Sequence, residues 1–220
     1  MSLNRDFHEQ KIRECLEQGL EVCLVEDGDL TLRYLLRRKL NRTGPSVLLL
    51  GMNPGPAEKL APEAEGGDQT TEKMLKEFDF DHLPGFEHPH FLEGLDALPI
   101  AAGELLFLNL LPVVEGTSNK VSKHLAALPA EDLEWLGDRS AQLIEELAQK
   151  ADIIIPIWGA ANAWKTVPLE KVRPIIKKLA QDPRKQVWAV RNDRNTPRHC
   201  GAQRYGYPWN QELLENFPFN

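Results

Sequence analysis

Four short apolar runs stand out along the chain: SVLLLG (46–51), ELLFLNLL (104–111), ADIIIPIWG (151–159) and KQVWAV (185–190). Each is nearly continuous in apolar residues and leads into Gly, Pro, Asn or Thr. Continuous rather than alternating hydrophobicity suits strands buried on both faces of a parallel sheet. Helical spacing fills the intervals. In 129–151, Leu133, Leu136, Leu143, Ile144 and Leu147 form one stripe behind Pro129 and a run of acidic residues suited to a helix start. Residues 168–180 form a second crossover segment, which Pro174 is expected to kink or interrupt.

Ahead of these runs, residues 5–20 read as a helix with Phe7, Ile12, Leu16 and Leu20 on one side and Gly19 near its end. Two strand-like runs around Asp27-Gly28 then predict a hairpin. Residues 79–103 have no clear period and read as an irregular insertion. The alternation of strands and helices predicts an α/β protein: a three-layer α/β/α sandwich on a central, mostly parallel four-stranded sheet, with an N-terminal helix and hairpin. With 220 residues, 42% of them hydrophobic, the chain suits a single domain spanning 1–220.

Charge narrows the function classes. A formal net charge of −7 argues against holding nucleic acid mainly through a broad positive field, while leaving room for a local basic patch. Three cysteines, Cys15, Cys23 and Cys200, lack CxxC spacing and read as reduced thiols rather than a disulfide framework or metal site. His82, His88 and His90 match no metal-ligand spacing and read as loop histidines, with a metal cluster as the alternative. The polar start MSLNRDFHEQ and the lack of a long apolar run predict a soluble, cytoplasmic protein without membrane partners.

In an open α/β sheet the ligand sits outside the carboxyl ends of the strands, so the residues after each run are the candidates. The first run leads into Gly51-Met52-Asn53-Pro54-Gly55-Pro56. Proline and glycine there would hold Asn53 at the sheet edge with backbone close to a ligand, or simply make a turn. Asn109 lies between leucines, and its amide either caps a loop or reads a ligand through its paired donor and acceptor. Gly159 could turn the third strand into a helix whose N–H groups face the cleft, while Trp158 reads as packing. After the fourth run, Arg191, Arg194, Arg198 and Arg204 stand among His199, Tyr205, Tyr207 and Trp209, a composition suited to phosphate and base contact or to a solvated basic loop.

Together these segments resemble the uracil-DNA glycosylase superfamily. GMNPGP is the first active-site motif of its single-strand-selective monofunctional branch, letter for letter, and LLFLN resembles the strand ending in its base-reading asparagine. IIIPIWGAANAWK is similar to the third strand and following helix of the classical enzymes, and His199 falls where the family places a catalytic histidine. The chain has His199-Cys200-Gly201 where the family usually has His-Pro-Ser or similar.

A second resemblance, over roughly residues 30–209, is to a bacterial family catalogued as a domain of unknown function. Its pattern corresponds here to Arg33-Tyr34, Asn53-Pro54-Gly55, Asp68-Gln69-Thr70, Asn109-Leu110, Trp158-Gly159 and Pro197-Arg198-His199.

The superfamily resemblance implies hydrolysis of the N-glycosidic bond of uracil or a related damaged base in DNA, with single-stranded DNA among the candidate substrates. Asn53 would position water and His199 would donate to the base carbonyl as charge grows there. Gly51, Met52, Gly55 and Asn109 would bind the base, and Arg191, Arg194, Arg198 and Arg204 would contact phosphate. Asp68 either caps a helix starting near Thr70 or joins the cleft with it. The stacking aromatic is one of Phe78, Phe80, Phe86 and Tyr205. No metal or cofactor is implied. The alternatives are a non-catalytic nucleobase or nucleotide binder, and a hydrolase of free or modified nucleosides or nucleotides.

Overall fold

A computed structural model describes residues 2–39, 43–52, 54, 103–115, 118–158, 168–189 and 215–216. The elements are α1 (Arg5–Gln18), β1 (Val22–Asp27), β2 (Leu30–Lys39), β3 (Ser46–Gly51) and β4 (Glu104–Asn109). They continue with α2 (Ser118–Ala126), α3 (Ala130–Lys150), β5 (Ile153–Pro156), α4 (Leu169–Ala180), β6 (Gln186–Ala189) and β7 (Glu215–Asn216).

The four apolar runs form the centre of one mixed sheet in the order β1-β2-β4-β3-β5-β6-β7. Strands β4, β3, β5 and β6 are parallel neighbours. The expectation of four strands is corrected to seven among the described residues. The hairpin is not an appendage, because β2 pairs antiparallel with β4, and β7 adds an antiparallel edge on β6. A free β4 edge would expose unpaired backbone donors and acceptors, which the hairpin satisfies.

Side chains of the parallel strands divide between two buried faces. Leu48, Leu50, Leu106, Leu108, Ile154 and Val187 join a cluster to which each of the four described helices contributes, including Ile12, Val121, Leu136, Ile144 and Val172. Val47, Leu49, Leu105, Phe107, Ile153 and Ile155 alternate with these and are buried as well. That double burial explains the continuous apolar runs.

The hairpin turns on Gly28-Asp29, with Asp27 paired to Leu30 and Gly28 at φ 58°, a left-handed conformation that glycine adopts without a Cβ clash. Further along, a register shift between Cys23 and Leu24 leaves Tyr34 without a cross-strand partner. The irregularity places Tyr34 with the helix-facing cluster, where its hydroxyl meets α1.

Helix α1 bears out the expected face in part: Ile12 is buried and Leu16 packs against the core, but Phe7, and Leu20 beyond the helix end, do not. His8, Ile12 and Cys15 are its buried residues, whereas Phe7 and Leu20 are 37% and 40% exposed. The reason is polar. His8 Nε2 lies 2.9 Å from Asp27 Oδ2 and Nδ1 lies 2.7 Å from the Tyr34 hydroxyl, while the ring packs edge-on against Tyr34 and Trp135. Because the carboxylate can only accept, Nε2 donates to Asp27, and the Tyr34 hydroxyl is the partner of Nδ1. Burial pushes the Tyr34 phenol well above its ordinary pKa, which keeps it a donor. His8→Leu leaves the buried Tyr34 hydroxyl without this partner and takes one donor from the part-buried Asp27 carboxylate, which keeps the Asn4 N–H, and is expected to cost about 1–3 kcal/mol. Urea denaturation tests this, and a variant within 0.5 kcal/mol of wild type, roughly the scatter of a neutral surface change, overturns it.

Helix α4 also departs from expectation, running unbroken through Pro174. Proline removes one N–H bond, here to the carbonyl four residues back at Glu170, which is solvent-exposed and can be satisfied by water. The other side of the helix buries Leu169, Val172, Ile176 and Leu179. That packing outweighs the local loss.

Cys15 and Cys23 are buried and free, facing each other between α1 and β1. Cys200 lies outside the described residues. No described helix is long and apolar enough to cross a membrane.

Candidate functional site

The carboxyl ends of β3 and β4 meet in register, with Gly51 opposite Asn109. The pairing continues past the strands: Leu110 N–H donates to Gly51 O (3.0 Å), Leu111 N–H to Met52 O (2.9 Å) and Glu115 N–H to Pro54 O (3.1 Å). From the other side, Arg33 N–H donates to Pro112 O (2.8 Å) and Val114 N–H to Thr31 O (2.9 Å). Residues 110–115 are therefore stitched between the hairpin and the exit from β3. Met52 and Pro54, the two neighbours of residue 53, are both tied to this segment.

Asn109 is half-buried and lies on the sheet face shared with Phe107 and Leu49. A Cβ built on Gly51 would stand 2.5 Å from Asn109 Oδ1, so the amide occupies space that any other residue at 51 would fill. Gly51 is glycine because of this close approach. The result is an amide whose donor and acceptor are placed at a strand end rather than on a mobile loop.

Strand order puts this edge at a topological switch point. From β3 the chain crosses to β4 on one side, and from β5 it crosses to β6 on the other, so the connections diverge between β3 and β5. Ligands in open α/β sheets bind in the crevice at such a point. Its described walls are Met52 and Pro54 beyond β3 and the end of β5, where Ile157 N–H donates to Leu50 O (2.8 Å). Trp158 is 1% exposed and belongs to the core.

Of the expected site residues, Gly51, Met52 and Asn109 are brought together. Asn53, Gly55, Asp68, Thr70, Arg191, Arg194, Arg198, His199 and Arg204 lie outside the described residues. So do Gly159, the three loop histidines and the aromatic candidates Phe78, Phe80, Phe86 and Tyr205. Among the described residues no group of three or more His, Cys, Asp or Glu is placed to hold a metal ion.

Compared with known proteins, the chain matches no family model, no curated protein and no solved structure.

One feature near this edge escaped sequence reasoning. Glu115 is 8% exposed and its Oε1 accepts from His124 Nε2 on α2 at 3.1 Å. The available signal was a charged residue closing the apolar run LLPVV. Arg33 is buried too, and desolvation pushes its guanidinium pKa down to about 9, so it remains a cation at neutral pH.

At the opposite sheet edge, a groove of about 490 Å³ lies beside the ends of α3 and α4. Two of its cations are engaged within the protein: Lys185 Nζ donates to the carbonyls of Gln149 (2.6 Å) and Ala151 (2.5 Å), and Arg184 clasps Asp182. That pairing holds the Asp182 carboxyl at about 2.

Proposed function

We propose that the chain is a uracil-DNA glycosylase-like hydrolase that cleaves the N-glycosidic bond of uracil or a related base. The observation that carries this reading is the Asn109 amide, set against Gly51 at the carboxyl edge of the parallel sheet and beside the exit that leads into Asn53-Pro54. A pyrimidine edge presents a carbonyl acceptor beside an N–H donor. One fixed amide matches both.

In this reading Asn53 orients a water toward the anomeric carbon. A C–O bond forms there as the C–N bond to the base breaks, and the bonding pair leaves with the base. His199 donates a hydrogen bond to the base carbonyl as charge develops, an electrostatic contribution to lowering the barrier. The water proton passes to solvent. Arg191, Arg194, Arg198 and Arg204 supply phosphate contacts.

A second reading is favoured by the net charge of −7, which opposes an extended DNA backbone. The same pocket would then take free nucleosides or nucleotides, either hydrolysing or only holding them.

The test is uracil release from labelled single-stranded and duplex oligonucleotides, with free uridine and deoxyuridine assayed in parallel. Release by wild type, lowered about a hundredfold or more in Asn53→Ala and His199→Ala, supports the glycosylase reading. Turnover of nucleosides alone supports the second. Binding without turnover assigns a holding site, and neither binding nor release overturns both readings.

A further inference from the structure

Two carboxylates are buried among the described residues, Asp132 and Glu115. Asp132 ties down the N-terminal segment. Glu115 lies instead against the candidate site, between buried Val114 and Pro54 beyond β3. Burying a carboxylate is unfavourable unless it is well bonded, and an apolar side chain would satisfy a purely packing role there.

Its bonds connect helix α2 to the site in three links. The His124 imidazole donates from Nε2 to Glu115 Oε1 at 3.1 Å. The Glu115 N–H donates to the Pro54 carbonyl at 3.1 Å. Pro54 is covalently joined to residue 53. We infer that Glu115 and His124 are a positioning pair for the exit from β3, fixing Pro54 and, through its covalent bond to Asn53, the placement that the proposed site needs there. The inference rests on the reading of this edge as the nucleobase site, and neither side chain touches the substrate.

The directional element is the N–H donated by residue 124. His124→Leu removes it, whereas His124→Gln keeps an N–H donor of similar reach. Amide hydrogen exchange on the full chain reads the linkage without any substrate. In His124→Leu, exchange at the Glu115 and Leu111 amides is expected to accelerate about tenfold or more while α3 and α4 amides keep their wild-type rates. His124→Gln should restore protection. Unchanged exchange at Glu115, or an acceleration spread evenly through β3, β4 and α3, overturns the inference, the second by marking a general loss of stability.

Uracil release supplies the functional arm. His124→Leu should lower kcat about tenfold with KM within twofold, because this exit acts on the reacting water more than on base affinity, and His124→Gln should recover it. An active wild type matched by His124→Leu overturns the positioning role. If wild type neither binds nor releases uracil, the proposed function fails, and the exchange result still decides whether α2 holds the exit from β3.

Discussion

Replacing Gly51 with alanine is expected to abolish the nucleobase recognition proposed for this edge while leaving the protein folded. The added methyl would stand 2.5 Å from Asn109 Oδ1, well inside contact distance, so the amide must rotate away or β3 and β4 must separate at their ends. The strands resist separation, because Leu110 and Leu111 continue the backbone pairing to Gly51 and Met52. The amide therefore moves. Overpacking of this kind costs about 1–3 kcal/mol of stability. Displacing a base-reading group by about 1 Å can cost about a hundredfold in rate.

Uracil release, or uracil affinity if the site only holds its ligand, should fall about a hundredfold or below detection in Gly51→Ala. The thermal midpoint should drop by several degrees with a single cooperative transition retained. Asn109→Ala should share the functional loss without the packing penalty, since it vacates the space instead of contesting it. Wild-type function in Gly51→Ala would show that the amide pose is not what the site uses.

The second large effect is structural. Asp132→Ala is expected to cost about 3 kcal/mol, near the low end for breaking a buried ion pair, since Arg5 retains 37% side-chain exposure. Asp132 is fully buried and accepts from Ser2 Oγ (3.0 Å), the Leu3 N–H (2.9 Å) and Arg5 Nε (2.8 Å), with Arg5 Nη2 at 2.6 Å. These bonds join the N-terminal segment to the first turn of α3. Arg139 adds a contact to Glu9 at 3.0 Å. Losing the carboxylate should release residues 2–4 and weaken the α1–α3 junction, detectable by urea denaturation and by faster exchange at the Leu3 amide.

The same carboxylate predicts an acid dependence. Burial alone would raise its pKa, but the bonds from Leu3, Arg5 and Ser2 outweigh burial and hold it below the ordinary value. A group depressed in the folded state contributes stability above its unfolded pKa, about 3.9 for aspartate. That contribution is lost as pH falls through the lower folded value. Stability of the wild type should therefore decline as pH drops below about 4, and Asp132→Asn should show a shallower decline from a lower starting stability. Parallel pH curves for the two proteins would remove Asp132 as a source of acid sensitivity.

Much of the secondary structure is readable in one dimension, and the exceptions share a cause. The four central strands come directly from continuous apolar runs, because double-sided burial leaves no polar alternation to read. The stripe on α3 is equally direct: Leu136, Leu143, Ile144 and Leu147 are all buried. Helix α1 shows the other case. Hydropathy favoured Phe7 and Leu20, yet the core selected His8, whose polarity is satisfied by partners 19 and 26 residues away. Pro174 reads locally as a break, and only the packing of the buried face of α4 overrides it.

For the candidate site, sequence pattern alone located Gly51, Met52 and Asn109 at strand ends, since the change from apolar run to glycine, proline or asparagine is a local signal. Tertiary structure alone decided that β3 stands beside both β4 and β5, that Gly51 and Asn109 share one register, and that the hairpin extends the sheet. It also joined Glu115 to His124 beside Pro54. Burial periodicity is imposed on each segment by its own geometry and is therefore written into that segment. Strand order, register and polar partnership depend on which distant groups meet, and that choice belongs to the whole chain.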